Sequence, residues 1–244
     1  MYFRGTFLVL MFFSSLVFSQ EESQNEAQQH YDMLSHAGWG NCLTSDIWVA
    51  TDYSDSMEGY EEFVYQAARA IAKGLLKDNQ RARLGIIGFN DEYKVVITPS
   101  NDLSMILRTA KEYKNLKAHG GTLMFKAFQA IDQIHDEIEK NPYADQPDYR
   151  KIIILISDGE DLRSEKTKEE TMRLKMEKEW NIFSIFVHKE KQSYETEESF
   201  SRARSDSLTL LSEISGNSTE ESSYVDSVLL EDLPDFFRNH FSCM

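Results

Sequence analysis

The chain has 244 residues, 26 of them Lys or Arg and 41 Asp or Glu, for a formal charge of −15. A hydrophobic fraction of 41% that includes 3 Trp, 11 Tyr and 15 Phe supplies a sizeable core, and 4 Pro with 11 Gly are too few for a collagen-like, repeat or linker-dominated protein. The acidic excess argues against sequence-independent binding to nucleic acid or anionic lipid, both of which attract basic surfaces.

The first segment reads as an export signal. Arg4 lies in a short n-region and the run F-L-V-L-M-F-F-S-S-L-V-F follows over residues 7–18, too short to span a bilayer comfortably. Val17, Phe18 and Ser19 offer a small-residue cleavage pattern, so residues 1–19 are expected to be a signal peptide and the product secreted, extracellular, or periplasmic or cell-surface in a bacterium. An uncleaved anchor is the alternative. Cleavage leaves 25 basic against 41 acidic residues, a charge of −16. No later segment has the length and apolarity of a membrane span, so no transmembrane segment is expected in the mature chain.

Two cysteines, Cys42 and Cys243, lie in the exported part. An even count in an oxidising compartment favours one disulfide, with two free thiols as the alternative. Such a bridge would close a loop of about 200 residues, for which chain entropy gives roughly 4–5 kcal/mol.

Residues 20–41 are polar and Gln/Glu-rich, a leader outside the core domain, which is expected over residues 42–243. The run D-I-W-V-A-T at 46–51 predicts a buried strand ending in D-Y-S-D-S-M. A helix is predicted over 61–76 from Phe63, Ala67, Ala70, Ile71 and Gly74 at helical spacing. Residues 83–89 and 93–97 predict strands joined through Asn90-Asp91-Glu92 and paired antiparallel. Helical stripes follow on Leu103, Ile106, Leu107 and Ala110, then over 123–138 with Phe128, Ile131, Ile134 and Ile138 inward. Past the turn-rich connector 141–147, K-I-I-I-L-I at 151–156 fits a central strand covered on both faces. A charged helix is expected over 165–179, with Met172, Leu174 and Met176 touching the core, then a strand over 181–187. Residues 188–206 read as a polar surface excursion before a short helix at 208–214, an edge strand at 222–225 and a last helix over 230–241.

Strands alternating with helices predict an α/β three-layer sandwich: a mostly parallel sheet with one antiparallel edge strand and helices on both faces. Ligands collect at the carboxyl ends of such strands, so the polar segments at 52–56, 119–122 and 157–161 are expected to converge. Asp52, Ser54 and Ser56 supply a carboxylate and two hydroxyls on alternate residues, Thr122 adds a hydroxyl after Gly120-Gly121, and Asp158 adds a carboxylate. This all-oxygen set suits a hard divalent cation.

D-Y-S-D-S-M, H-G-G-T and I-S-D-G together resemble the metal-ion-dependent adhesion site of von Willebrand factor type A domains, and the resemblance runs over residues 42–243. It implies that Ser54 and Ser56 ligate Mg²⁺, or Mn²⁺ or Ca²⁺, and that Thr122 does so directly or through water. Asp52 and Asp158 would act largely through water. A cation held mainly by neutral hydroxyls keeps charge with which to capture an Asp or Glu carboxylate of a protein ligand. The terminal cysteine pair also resembles secreted members, whose domain ends are tied by a disulfide. The resemblance further implies that the last helix could shift as the metal loop rearranges, a motion that a Cys42–Cys243 bridge would restrain.

The sequence departs from the family pattern at Asp55, where Gly is common, and at the bulky Tyr53. Glu58, Asp91, Glu92, Glu160 and Asp161 ring the mouth, either as solvated loop charge or as ligands of a second cation. His119 reads as a loop residue. Asn217-Ser218-Thr219 is a glycosylation acceptor only in a eukaryote. No nucleophile elbow or phosphate-binding loop is present. The expected function is therefore a non-enzymatic binding module, with a metal-indifferent scaffold and a metal-dependent hydrolase as the alternatives.

Overall fold

The computed structural model describes residues 44–59, 61–76, 79–113, 117–188, 196–216 and 225–229. These lie in one of the two compact units of the chain, Gly40–Met244. The expected signal segment and leader, Cys42, Cys243, Asn217 and the helix expected over 230–241 fall outside the described residues.

The elements in chain order are β1 (Ser45–Asp52), a 3₁₀ turn (Asp55–Met57), α1 (Glu61–Leu76), β2 (Ala82–Phe89), β3 (Tyr93–Ser100), α2 (Leu103–Tyr113) and α3 (Met124–Glu137). Then follow β4 (Arg150–Ser157), α4 (Ser164–Lys178), β5 (Trp180–His188), α5 (Glu197–Ser215) and β6 (Val225–Leu229). One six-stranded sheet has the order β3-β2-β1-β4-β5-β6. Among the described strands only β3 runs antiparallel, at the edge beside β2, so the expected sandwich is the observed one.

Strand β1 is buried along its whole length because β2 and β4 flank it and helices cover both faces. Successive side chains alternate between those faces. Trp48 and Ala50 join Phe128, Ile131, Leu174 and Leu211, the layer of α3, α4 and α5. Ile47 and Val49 point the other way, toward the layer of α1 and α2, where Val64, Ala67, Ile71 and Ile106 are buried.

The differences from the sequence reading have local causes. Strand β3 continues to Ser100, past Pro99, because an edge strand need not offer every N–H to a neighbour. Leu174 is fully buried, whereas Met172 and Met176 are 68% and 66% exposed. At 100° per residue, positions 172 and 176 share a face and 174 lies opposite, so the three could not all reach the core. Helix α5 begins at Glu197, well inside the expected excursion. Thr196 and Ser199 form a reciprocal capping box there, and the first two turns carry no apolar stripe that would have marked them. The edge strand lies at Val225–Leu229, later than expected, and pairs parallel with β5.

At the end of the sheet where β1 begins, Asp46 collects a network. Its carboxylate accepts from Arg83 Nε at 2.8 Å and Nη2 at 2.5 Å, from Asn141 Nδ2 at 2.9 Å and from the Tyr149 hydroxyl at 3.0 Å. Burial by itself would raise this carboxyl, but the bonds from Arg83 and Asn141 and the guanidinium charge outweigh it and hold the group below its ordinary range. The network ties the 141–149 connector to β1 and β2 and leaves the opposite end of the sheet for function.

Candidate functional site

Strands β1 and β4 are parallel neighbours, with Thr51 opposite Ile156, so their ends deliver Asp52 and Asp158 to the same edge of the sheet. The Ser157 hydroxyl donates to Asp52 Oδ2 at 2.7 Å and accepts from the Gly159 amide at 3.0 Å, stitching the two strand ends together. Beyond Asp52 the chain folds back on itself: the Ser54 amide donates to Asp52 Oδ1 at 2.9 Å, and Met57 N bonds Ser54 O to close the 3₁₀ turn. The turn sets the Ser54 and Ser56 hydroxyls 2.9 Å apart.

Backbone bonds zip the third segment to the first. Asp55 N donates to Gly120 O at 2.9 Å and His119 N to Tyr53 O at 3.0 Å. Gly120 makes the turn at φ +75°, a conformation that side chains resist. Leu162 N donates to Thr122 O at 3.0 Å, which joins the loop after β4 to the start of α3. The three polar segments therefore meet, as expected. Asp52, Ser54, Thr122 and Asp158 are buried and Ser56 is half-buried.

The electrostatics of this corner are strained. Burial first, and the adjacent Asp158 charge second, push the Asp52 carboxyl up to about 7, against the hydrogen bonds from Ser157 and Ser54. Among the described residues no group of three or more His, Cys, Asp or Glu side chains is arranged to hold a metal. A cation at this corner would therefore lean on hydroxyl oxygens, the donor set that Ser54, Ser56 and Thr122 offer, and the residues present fit a hard cation.

The rim divides. Glu58, Asp91, Glu92 and Glu160 are exposed. Asp161 is instead a structural clip: its carboxylate accepts from the Thr167 hydroxyl at 2.5 Å and the Arg163 amide at 3.1 Å, and also from the Met124 amide, so it joins the starts of α3 and α4. His119 is a loop residue, held through its carbonyl by Asn90 Nδ2 at 2.9 Å. Two contributors escaped the sequence reading. Ser157 stood inside the S-D-G motif with no role, and Asn90 read only as hairpin turn although its carbonyl receives Leu123 N at 2.8 Å.

Residues 47–160 match the family model described as von Willebrand factor type A domain. The matched stretch covers less than half of the chain. No curated protein matches the sequence. Among solved structures of this fold, the pilus adhesin SpaC from Lactobacillus rhamnosus GG in its open conformation aligns with TM-score 0.61 at 14% identity, over 81% of this chain and 29% of that one. Proximal thread matrix protein 1 from the mussel byssus aligns with TM-score 0.59 at 15% identity, over 82% of this chain and 47% of that one. The manganese-loaded Plasmodium vivax TRAP protein aligns with TM-score 0.52 at 14% identity, over 83% of this chain and 76% of that one. The von Willebrand factor type A fold is what these likenesses share. The chain spans less than half the length of the first two, and no described helix is long and apolar enough to cross a membrane.

Proposed function

We propose that this chain is a secreted or cell-surface binding module that recognises a protein ligand through a divalent cation at the Asp52–Asp158 corner. Ser54, Ser56 and Thr122 hold the cation through their hydroxyls, with Asp52 and Asp158 behind them; Mg²⁺ is the first candidate and Mn²⁺ or Ca²⁺ the alternatives. The bound ion supplies an electrophilic position for a partner's Asp or Glu carboxylate. The observation that carries this reading is the pair of Ser54 and Ser56 hydroxyls, 2.9 Å apart, beside two carboxylates that repel each other in a buried corner.

Each residue has a task in this reading. Ser157 holds Asp52 in one orientation, the 3₁₀ turn fixes the spacing of the serines, and the Gly120 turn lets Thr122 approach. Binding is favoured over catalysis because His119, the histidine carried on the site loops, is tethered by Asn90. Adhesin-type neighbours point the same way. Export through residues 1–19 and a Cys42–Cys243 disulfide belong to the same proposal.

The test is thermal unfolding with Mg²⁺ or Mn²⁺ against chelator, for the natural chain and for Asp158→Ala. Metal at a hundred times its Kd adds about 2.7 kcal/mol, which for a chain of this size raises Tm by several degrees. The rise is expected in the natural chain and absent in the variant. Equal unfolding in metal and chelator for both proteins would sink the metal reading, and partner binding indifferent to chelator would establish the scaffold reading instead.

A further inference from the structure

We propose that the cavity between the β2–β3 turn and the loop before Gly120 is an anion subsite for a compact oxyanion, a sulfate or phosphate monoester, with Lys94, Lys117 and His119 as its donors. The subsite adjoins the cation corner and does not depend on it.

The cavity has a volume of about 150 Å³. That is below the roughly 300–1,000 Å³ of small-molecule clefts, so it suits one functional group rather than a whole cofactor. Buried Tyr53 and Phe89 line it together with Tyr93, which is 49% exposed. Tyr53 stands between Asp52 and Ser54 and gives the cavity a wall in common with the site, and the His119 amide donates to the Tyr53 carbonyl at 3.0 Å. Lys94 is carried on β3 opposite Gly88, which brings no side chain over the space.

The fold orients these donors without using them up. Asn90 Oδ1 accepts from the Glu92 amide at 2.8 Å, which fixes the orientation of the Asn90 side chain. Its Nδ2 then donates to the His119 carbonyl at 2.9 Å and to His119 Nδ1 at 3.1 Å. With Nδ1 accepting, the hydrogen bonds assign the ring proton to Nε2, and that N–H has no partner among the described residues. Elsewhere the cations Arg83, Lys168 and Lys178 are taken up by Asp46, Glu213 and Asp136. Lys94 and Lys117 are exposed and form no ion pair among the described residues. Glu92 is the one carboxylate on the cavity wall, so ammonium groups outnumber it two to one in a chain whose net charge is −15. Exposed charges are screened beyond about 8 Å at physiological salt, so these near groups outweigh the distant acidic excess. Ammonium groups act as point charges and match a tetrahedral oxyanion, whereas a planar carboxylate is better served by an Arg fork, and no described Arg lines the cavity. The Tyr93 ring offers a face to the carbon stem of the ester.

The subsite can be read without the cation. The ¹⁵N-labelled full chain, kept in chelator, is titrated with phenyl sulfate and with phenyl phosphate, the two sources of this chemistry, and with benzoate and benzyl alcohol as planar and neutral controls. One ester or both is expected to shift the amide signals of Lys94, Lys117 and His119 and the His119 Nε2 signal, to saturate at millimolar concentration and to weaken as salt is raised. An ester that binds alone names the source. Lys94→Gln and Lys117→Gln break no ion pair among the described residues, and each is expected to weaken the ester about threefold, the size of a surface charge interaction. Glu92→Gln, which removes the opposing charge, is expected to tighten it. No shift with either ester overturns the subsite, as do equal shifts with benzyl alcohol, benzoate bound as tightly as the esters, or an affinity unchanged when both lysines are replaced. Every arm is run in chelator, so each of these failures leaves the cation reading to its own test.

Discussion

The Ser157 hydroxyl donates to Asp52 Oδ2 at 2.7 Å, so the last residue of β4 orients the last residue of β1 across 105 positions of sequence. Ser157→Ala removes that donor and also the acceptor of the Gly159 amide. Leaving buried polar groups short of partners costs about 1–3 kcal/mol. The variant is expected to lose that much in urea unfolding with chelator present, and a midpoint equal to the natural chain's would show that the bond is dispensable.

Asp46 carries the other end of the sheet. Its side chain is fully buried and Arg83 is 15% exposed, and removing one partner of a buried pair costs about 3–5 kcal/mol. Asp46→Ala is expected to fall in that range, because it strips bonds from Arg83, Asn141 and Tyr149 together. A loss below about 1 kcal/mol, the size of a surface ion pair, would mean that the network is ornamental.

Acid should destabilise the fold in two steps. Burial lowers the His135 pKa below its ordinary 6.5, reinforced by the Lys151 and Arg83 charges and opposed by Asp46 and Asp136. The native state therefore binds fewer protons than the unfolded chain, and the stability present above pH 6.5 is lost as pH falls through the lowered value. Asp46, held below its ordinary 3.8, loses its contribution at still lower pH by the same sign. Asp52 runs the opposite way, so the measurement is a difference. Between pH 7.5 and 5 the natural chain should lose urea midpoint relative to His135→Gln. Parallel midpoints for the two proteins would remove His135 from the account.

Two glycines separate strain from collision. Gly59 at φ +87° has open space where a Cβ would go, whereas Gly159 at φ +78° has Ser207 Cβ at 2.7 Å and Ser207 backbone atoms at 3.0 Å. Gly59→Ala is expected to cost only the left-handed penalty of about 1–2 kcal/mol. Gly159→Ala should cost about 1–3 kcal/mol more for the overlap, and it should broaden the amide signals of α5 near Ser207. Equal losses would mean that α5 yields freely.

Much of the fold was legible in one dimension. Ile152 to Ile156 read as a doubly covered strand, and the alternation of such runs with helical stripes announced the layers, because burial on both faces or on one stripe is written in local periodicity. The polar residues Asp52, Ser54, Ser56, Thr122 and Asp158 were legible because each ends or follows a strand or follows a glycine turn. Helix α5 was half hidden, since Thr196 and Ser199 start it with side-chain hydrogen bonds and without an apolar stripe. The sequence by itself determined the elements, their approximate ends and the oxygen-rich loops. Only the tertiary structure decided that Asp161 clips α3 to α4, that Met172 and Met176 face solvent, and that Asp46 bonds Arg83 and Tyr149, 37 and 103 residues away. A residue's neighbours in sequence fix its propensity and phase, but a carboxylate's partner depends on which distant strand the sheet places beside it.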